Sequence, residues 1–249
     1  MKVQTLARIL RDNQNTVFFG GAGVSTESGI PDFRSESGLY AAQSVYGRAP
    51  EALLSHTIFM REPELFFRYY RENLIYRDVK PNAAHIALAK LEQAGRLAAV
   101  VTQNIDGLHQ AAGSVNVLEL HGSNHRQLCV ACDKRYDLDY VLNPAHCAGV
   151  IPKCEACGGI VRPDVVLYEE PLDQRVMDAA VRTIAAADSL IVGGTSLAVY
   201  PAAGLLNYYR GSHLVLINKS VTPYDEQADL VIREPIGKMF AAVMAGMGL

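Results

Sequence analysis

Seven short apolar runs punctuate the chain, at 17–19, 97–101, 115–120, 165–167, 190–192, 214–217 and 230–232. Each has strand length, and their near-continuous apolar character is that of strands buried on both faces. Between several of them the apolar spacing lengthens to the helical period. Such stretches are 82–93 behind Pro81, 173–187 with Asp173 as N-cap, and 201–209 with Pro201 in its first turn. Strands alternating with helices predict an α/β fold with a parallel, doubly wound sheet. Residues 50–76 read as helical, with Phe66, Phe67, Tyr69 and Tyr70 as core packing, whereas residues 124–160 break the rhythm with turns and form a small separate module.

That module holds two Cys-x-x-Cys pairs, Cys129/Cys132 and Cys154/Cys157. Each pair brings two sulfurs onto one tight turn, and together they can close a tetrahedral site around one structural Zn²⁺. Asn143-Pro144 and Gly149 mark a loop that absorbs the long spacer. The alternative is two disulfides or unrelated thiols, against which the lack of a secretory signal weighs. The fifth cysteine, Cys147, and its neighbour His146 read as incidental.

Composition narrows the function classes. In 249 residues, 49% hydrophobic and 20% charged, the chain can bury a large core. A net charge of −3 argues against nucleic acid as the main partner. No apolar run reaches membrane-spanning length and the N-terminus carries no signal core, so the expected location is cytoplasmic, with no membrane partner.

The residues that follow the apolar runs carry the chemistry. They are Gly20-Gly21-Ala22-Gly23-Val24-Ser25-Thr26, Thr102-Gln103-Asn104-Ile105-Asp106, Gly193-Gly194-Thr195-Ser196, and Asn218. In an open parallel sheet such strand ends converge on one crevice, here large enough for a nucleotide. Gly21 and Gly23 would let the backbone approach a pyrophosphate met by amide N–H groups of the next helix. By itself Gly-x-Gly is a weak signal. Thr26 replaces the third glycine of the dehydrogenase fingerprint, and Ile30-Pro31-Asp32-Phe33-Arg34-Ser35 follows in place of a strand ending in an acid, which disfavours hydride transfer. Arg34 offers a bidentate phosphate contact and Phe33 an aromatic wall, or both belong to an ordinary loop.

Six ordered motifs then resemble one family. Gly21-Ala22-Gly23-Val24-Ser25, Gly29-Ile30-Pro31-Asp32-Phe33-Arg34, Thr102-Gln103-Asn104-Ile105-Asp106-Gly107-Leu108-His109, Glu119-Leu120-His121-Gly122, the two cysteine pairs, and Gly194-Thr195-Ser196-Leu197 match the pattern of sirtuins, NAD-dependent protein deacylases. The resemblance implies a Rossmann-like large domain (1–35, 77–123 and 161–249) and a small domain of a helical part (36–76) and a zinc ribbon (124–160). It implies NAD as co-substrate and acylated-lysine proteins as partners. Gly21, Ala22, Gly23, Ser25, Thr26, Phe33 and Arg34 would line the cofactor loop. Gln103, Asn104, Ile105 and Asp106 would hold nicotinamide and its ribose, and Gly194, Thr195, Ser196, Asn218 and Ile236 the adenosine end. Thr195 and Ser196 also suit simple helix capping.

By the same resemblance His121 is the catalytic base, with Asn104 beside it. The acyl oxygen attacks the anomeric carbon, nicotinamide leaves, and His121 activates a ribose hydroxyl toward the resulting imidate, giving free lysine and O-acyl-ADP-ribose. An imidazole titrates near neutrality and suits that task, although a strand-end histidine alone is more often structural. Val165, Val166 and Tyr168 would bind the peptide by strand addition, with Val165, Phe33 and Ile105 around the lysine stem; Val166 reads equally as a core residue. The chain has Tyr168-Glu169-Glu170 where the family has Phe-Gly-Glu, which leaves the peptide register open. Phe67 and Tyr70 stand where succinyl-selective members carry Tyr and Arg, so acetyl or apolar acyl groups are expected, the alternative being that nearby Arg68 or Arg71 supplies the cation. Protein ADP-ribosyl transfer, or a non-catalytic NAD- or zinc-binding module, are the alternatives.

Overall fold

The computed structural model describes residues 1–32 and 45–249. Along the chain, helix α1 (Lys2–Asp12) and strand β1 (Thr16–Gly20) lead into two 3₁₀ turns, Ala22–Val24 and Thr26–Ser28. Three helices follow, α2 (Pro50–Leu53), α3 (His56–Arg61) and α4 (Pro63–Asn73), then α5 (Ala83–Gln93), β2 (Ala99–Thr102), α6 (Leu108–Ala111) and β3 (Val117–Glu119). The cysteine module contains β4 (Gly122–Cys129), β5 (Arg135–Asp137), α7 (Leu138–Leu142), the hairpin β6 (Cys147–Ala148) and β7 (Ile151–Pro152), and β8 (Val161–Val165). The chain closes with α8 (Gln174–Ala185), β9 (Ser189–Gly193), β10 (His213–Ile217), β11 (Leu230–Ile232) and α9 (Ile236–Met247).

Six strands form one sheet in the order β11-β10-β9-β1-β2-β3, every neighbouring pair parallel. The chain runs outward from β1 to β3, returns, and runs outward again from β9 to β11, so the order reverses between β1 and β9. This is the doubly wound arrangement, with its ligand crevice at that reversal. Alternate residues of each strand feed opposite faces. Phe18, Val100, Ile191 and Val215 pack beneath α1, α5 and α9, against Leu10, Leu88 and Phe240. Val17, Phe19, Val101, Val192 and Leu216 meet Ala180 and Ile184 of α8 and Leu205 and Leu206 on the other side. Full burial of side chains such as Phe18 and Phe19 contributes about 1.5–3 kcal/mol each.

The small module has its own antiparallel sheet, β5-β4-β8. Beside it, helices α2 to α4 gather Phe59, Phe66, Phe67, Tyr69 and Tyr70 into one cluster joined by Ile151 and Ile160, and Tyr70 bonds Asn124 of β4. The aromatic cluster is therefore core, as its spacing predicts.

Three expectations need correction. The run 165–167 is not a strand of the parallel sheet: β8 ends at Val165 and pairs antiparallel with β4. A short apolar run gives no information about which sheet receives it. The stretch 201–209 winds as a 3₁₀ helix over Ala202–Tyr208, in keeping with Gly204 and Asn207, which both disfavour an α-helix interior. The run 115–120 shortens to β3, and Val115 is exposed.

Candidate active site and metal centre

The ends of β1, β2 and β9 are stitched together by backbone hydrogen bonds. Gln103 N donates to Gly20 O at 3.0 Å, Gly21 N to Gly193 O at 3.2 Å, and Gly23 N to Gly194 O at 2.8 Å. A Cβ on Gly23 would lie 2.8 Å from Gly194 Cα, and Gly194 itself takes φ +60°. These glycines thus let two backbones meet, a role beyond the open approach for phosphate that the sequence suggested. The turn continues as two short 3₁₀ segments, Ala22–Val24 and Thr26–Ser28, where the sequence reading placed the next helix.

Beside that junction lies a connected polar group. The buried Ser25 hydroxyl donates to Asp106 Oδ2 at 2.6 Å and accepts from Asn104 Nδ2 at 3.0 Å. Asp106 Oδ1 accepts the Leu108 N–H at 2.9 Å. Gln103 Nε2 donates to Thr195 Oγ1 at 3.1 Å, linking the β2 and β9 ends. That Thr195 oxygen also accepts Leu197 N at 3.3 Å, a bond within its own turn and not the cap of a helix. Ser25, Asn104 and Asp106 therefore form one hydrogen-bonded group and Gln103 and Thr195 a second beside it, with Ala22 and Thr26 on the adjoining turn. Thr26 Oγ1 donates to Gly23 O at 3.0 Å.

His121 sits in the bend between β3 and β4, one residue before β4 begins. Its Nδ1 is 2.9 Å from Gln103 O. A carbonyl can only accept, so Nδ1 carries the proton and Nε2 keeps its lone pair. Burial pushes its pKa below the ordinary imidazole value, an effect only partly opposed by the bond to Gln103. The resting ring is a neutral base. His85 and His109, buried deeper with ring centroids 4.8 Å apart, are driven down by burial and stay neutral too.

The remaining candidates divide. Asn218, at the end of β10, donates from Nδ2 to Ser220 O at 2.9 Å. Ile236 opens α9 buried in the core, against the β9 end at Gly193. Ser196 and Ile105 are half-buried beside the network, and Ile105 O accepts Asn124 N at 2.9 Å. Phe33 and Arg34 lie outside the described residues.

On the substrate side, Val165 and Val166 are half-buried and Tyr168 is exposed. Val166 N donates to His121 O at 3.0 Å, Tyr168 N to Leu54 O at 3.1 Å, and His56 N to Tyr168 O at 3.0 Å. The segment is thus tied to His121 at one end and to the α2–α3 junction at the other. Glu169, standing in for the family's glycine, keeps a left-handed φ of +76°. Its carboxylate accepts Thr57 N at 2.9 Å and Thr57 Oγ1 at 2.7 Å, which compensates the strain. Burial raises Glu170, but Arg162, His56 and the Leu167 N–H outweigh it and hold the carboxyl down at about 2. Arg162 bonds both Glu170 oxygens, at 2.6 and 2.9 Å, and Val165 O at 2.7 Å.

The four cysteines converge. Cys129, Cys132, Cys154 and Cys157 place all their sulfurs within 4.8 Å of one another. Neighbouring sulfurs are 3.4 to 3.7 Å apart, close to the roughly 3.8 Å edge of a tetrahedron with Zn–S bonds of about 2.3 Å. They are positioned to bind one zinc ion. Tyr136 Oη is 3.0 Å from Cys154 Sγ, the outer-shell contact a thiolate ligand favours. Cys147 stays out of the quartet, 3.2 Å from Arg71 Nη2, and His146 stacks on Tyr140. His125, which flanks the site in the sequence and reads there as a weaker proton-transfer candidate alongside His85 and His109, bonds Asp106 O instead; sequence reasoning passed over Asn124 and Thr57, whose roles depend on a bulge and a bend that leave no local pattern.

The Sir2 family profile matches residues 21–201. An NAD-dependent protein deacetylase of Clostridium acetobutylicum is 58% identical over 243 residues, 98% of each chain. One of Clostridium perfringens is 59% identical over 244 residues, again 98% of each. Among solved structures, Sir2 with a deacetylated p53 peptide and 3'-O-acetyl ADP ribose superposes at TM-score 0.90 with 37% identity over 100% of both chains. Sir2 with a p53 peptide and NAD⁺ gives 0.89 at 37% identity, over 100% of this chain and 99% of that one.

Proposed function

The chain belongs to the Sir2 family, and from that premise we infer that it is an NAD-dependent protein-lysine deacetylase in which His121 is the base. NAD is consumed as a co-substrate, with nicotinamide released and the acyl group passed to ADP-ribose. The anchoring of His121 carries the assignment. Its Nδ1–H is held by Gln103 O at 2.9 Å, and burial favours the neutral ring, so Nε2 is free to take the proton of a ribose hydroxyl as that oxygen attacks the acyl carbon. A neutral base needs no prior deprotonation at working pH.

Asn104, oriented by Ser25, would accept from a ribose hydroxyl or water through its amide oxygen. Asp106, fixed by Ser25 and Leu108, would accept the carboxamide N–H of nicotinamide. The Gly21–Gly23 turn with Ala22, Ser25 and Thr26 would meet the diphosphate, and Gly194, Thr195, Ser196, Asn218 and Ile236 the adenosine. Val165, Val166 and Tyr168 would form the strand on which the acyl-lysine peptide lies.

The chain would divide into a large domain (1–35, 77–123 and 161–249), a helical part (36–76) and a zinc ribbon (124–160); the core clusters follow this division except near 161–167, where Val161 packs with the ribbon and Leu167 with the helical part. Phe67 and Tyr70 are buried, Tyr70 bonded to Asn124 Oδ1 at 3.0 Å, and Arg71 is turned to Val141 O at 2.7 Å. No cation is thereby offered to an acidic acyl group from these positions, in favour of acetyl or apolar acyl chains. Among the described residues no helix is long and apolar enough to cross a membrane. Together with a thiol quartet suited to zinc, this favours a cytoplasmic location.

Incubation with NAD and an acetyl-lysine peptide tests the assignment. Nicotinamide, deacetylated peptide and O-acetyl-ADP-ribose should appear in equal amounts by mass spectrometry, and a succinylated peptide should react more slowly. Protein-bound ADP-ribose without peptide deacetylation would move the chain to the transferase class.

A further inference from the structure

The pairing of β4 with β8 is interrupted between Ser123 and Gln127, where the register shifts. Asn124, His125 and Arg126 therefore bulge out of the ladder. Bulges re-aim side chains, and this one turns two residues toward the bend after β2. Asn124 N donates to Ile105 O at 2.9 Å, and His125 Nε2 lies 2.9 Å from Asp106 O. Because a carbonyl only accepts, Nε2 carries the proton. Gly107 is fitted to the same ring. It takes φ +71°, and a Cβ there would lie 2.6 Å from His125 Cδ2.

Asp106 is thus fixed twice. Its carboxylate is bonded by Ser25 and Leu108, and its carbonyl by His125. Without the second contact the peptide unit between Asp106 and Gly107 could rotate, since glycine resists no φ, and the carboxylate would follow.

We propose that His125 is a positioning residue for the nicotinamide end of the site: its Nε2–H clamps the Ile105-Asp106-Gly107 bend to the β4 bulge and keeps the Asp106 carboxylate aimed at the carboxamide. The proposal rests on the reading of Asp106 as the nicotinamide contact. It also joins that bend to the strand that ends at Cys129.

Two variants separate donor from bulk. His125→Phe keeps a ring against Gly107 without the donor, and His125→Gln keeps a donor. Steady-state kinetics should give His125→Phe a KM for NAD and a nicotinamide inhibition constant both raised roughly threefold to tenfold, the size set by one neutral hydrogen bond. The KM for acetyl-lysine peptide should stay unchanged, and His125→Gln should recover most of the loss. Wild-type constants in His125→Phe, equal impairment in both variants, or a peptide KM that shifts alongside the others would overturn the clamp. Asp106→Asn in the same panel separates the premise: if it leaves both nicotinamide-linked constants alone, the Asp106 reading fails, and the clamp's purpose with it. If it raises them while His125→Phe does not, the clamp alone fails. Should His125→Phe not fold, His125→Ala against His125→Gln carries the same comparison.

Discussion

At the scale of single residues, the chemistry depends on where protons sit. His121 keeps its proton on Nδ1 through Gln103 O, and burial pulls its pKa below that of a free imidazole. The active form is the neutral one, so activity should be lost as pH falls. The acid limb of kcat/KM should have its midpoint below the ordinary imidazole value of about 6.5. A pH–rate profile with a midpoint above that value would contradict the assignment of His121 as a half-buried base. This residue was legible in the sequence because it lies in Glu119-Leu120-His121-Gly122, after a strand and among the other motifs. The cysteine quartet was legible from spacing alone. His125 was legible only as a weaker proton-transfer candidate flanking the site: its contact with the bend exists because β4 bulges beside Gly107, and no local pattern encodes a bulge that answers a bend about twenty residues away.

At the scale of elements, the central strands announced themselves as continuous apolar runs, and β1, β2 and β9 are buried along their whole length. The run 165–167 misled for a physical reason. Val165 closes the antiparallel ladder with β4, and beyond it Val166 N serves His121 O and Tyr168 N serves Leu54 O, of which apolar side chains alone carry no record. Glu169 makes this segment testable. It holds a left-handed φ of +76°, tolerated because its carboxylate binds Thr57. Glu169→Ala keeps the strain and loses both bonds, whereas Glu169→Gly loses the bonds and the strain together. Thermal denaturation should therefore rank wild type above Glu169→Gly, and Glu169→Gly above Glu169→Ala. An alanine variant at least as stable as the glycine variant would show that the bend is not strained.

At the scale of the molecule, β4 runs from beside the base to the metal centre. Eight residues from Gly122 to Cys129 span roughly 20 Å, so the cysteine quartet is remote from His121 yet tied to it mechanically. Four thiolates leave no open coordination position, and the metal acts through folding. Cys154→Ala should release about one zinc per chain by elemental analysis and lower the midpoint of unfolding, with activity lost alongside folded protein. A wild-type chain purified without metal, yet fully active, would remove the zinc from the account. The doubly wound order was legible from the alternation of strands and helices. The antiparallel sheet around the cysteines was not, because its short strands lack a long apolar period.

The central claim is that strand ends gather around NAD with His121 as the base for acyl transfer, and replacing that one side chain tests it most directly. O-acetyl-ADP-ribose formation should be measured for wild type and His121→Tyr at matched NAD and acetyl-lysine peptide, with circular dichroism on both. The variant should keep its fold and lose roughly 10²- to 10⁴-fold in turnover, the range for removing a general base. A folded His121→Tyr protein with near-normal product formation would contradict the account.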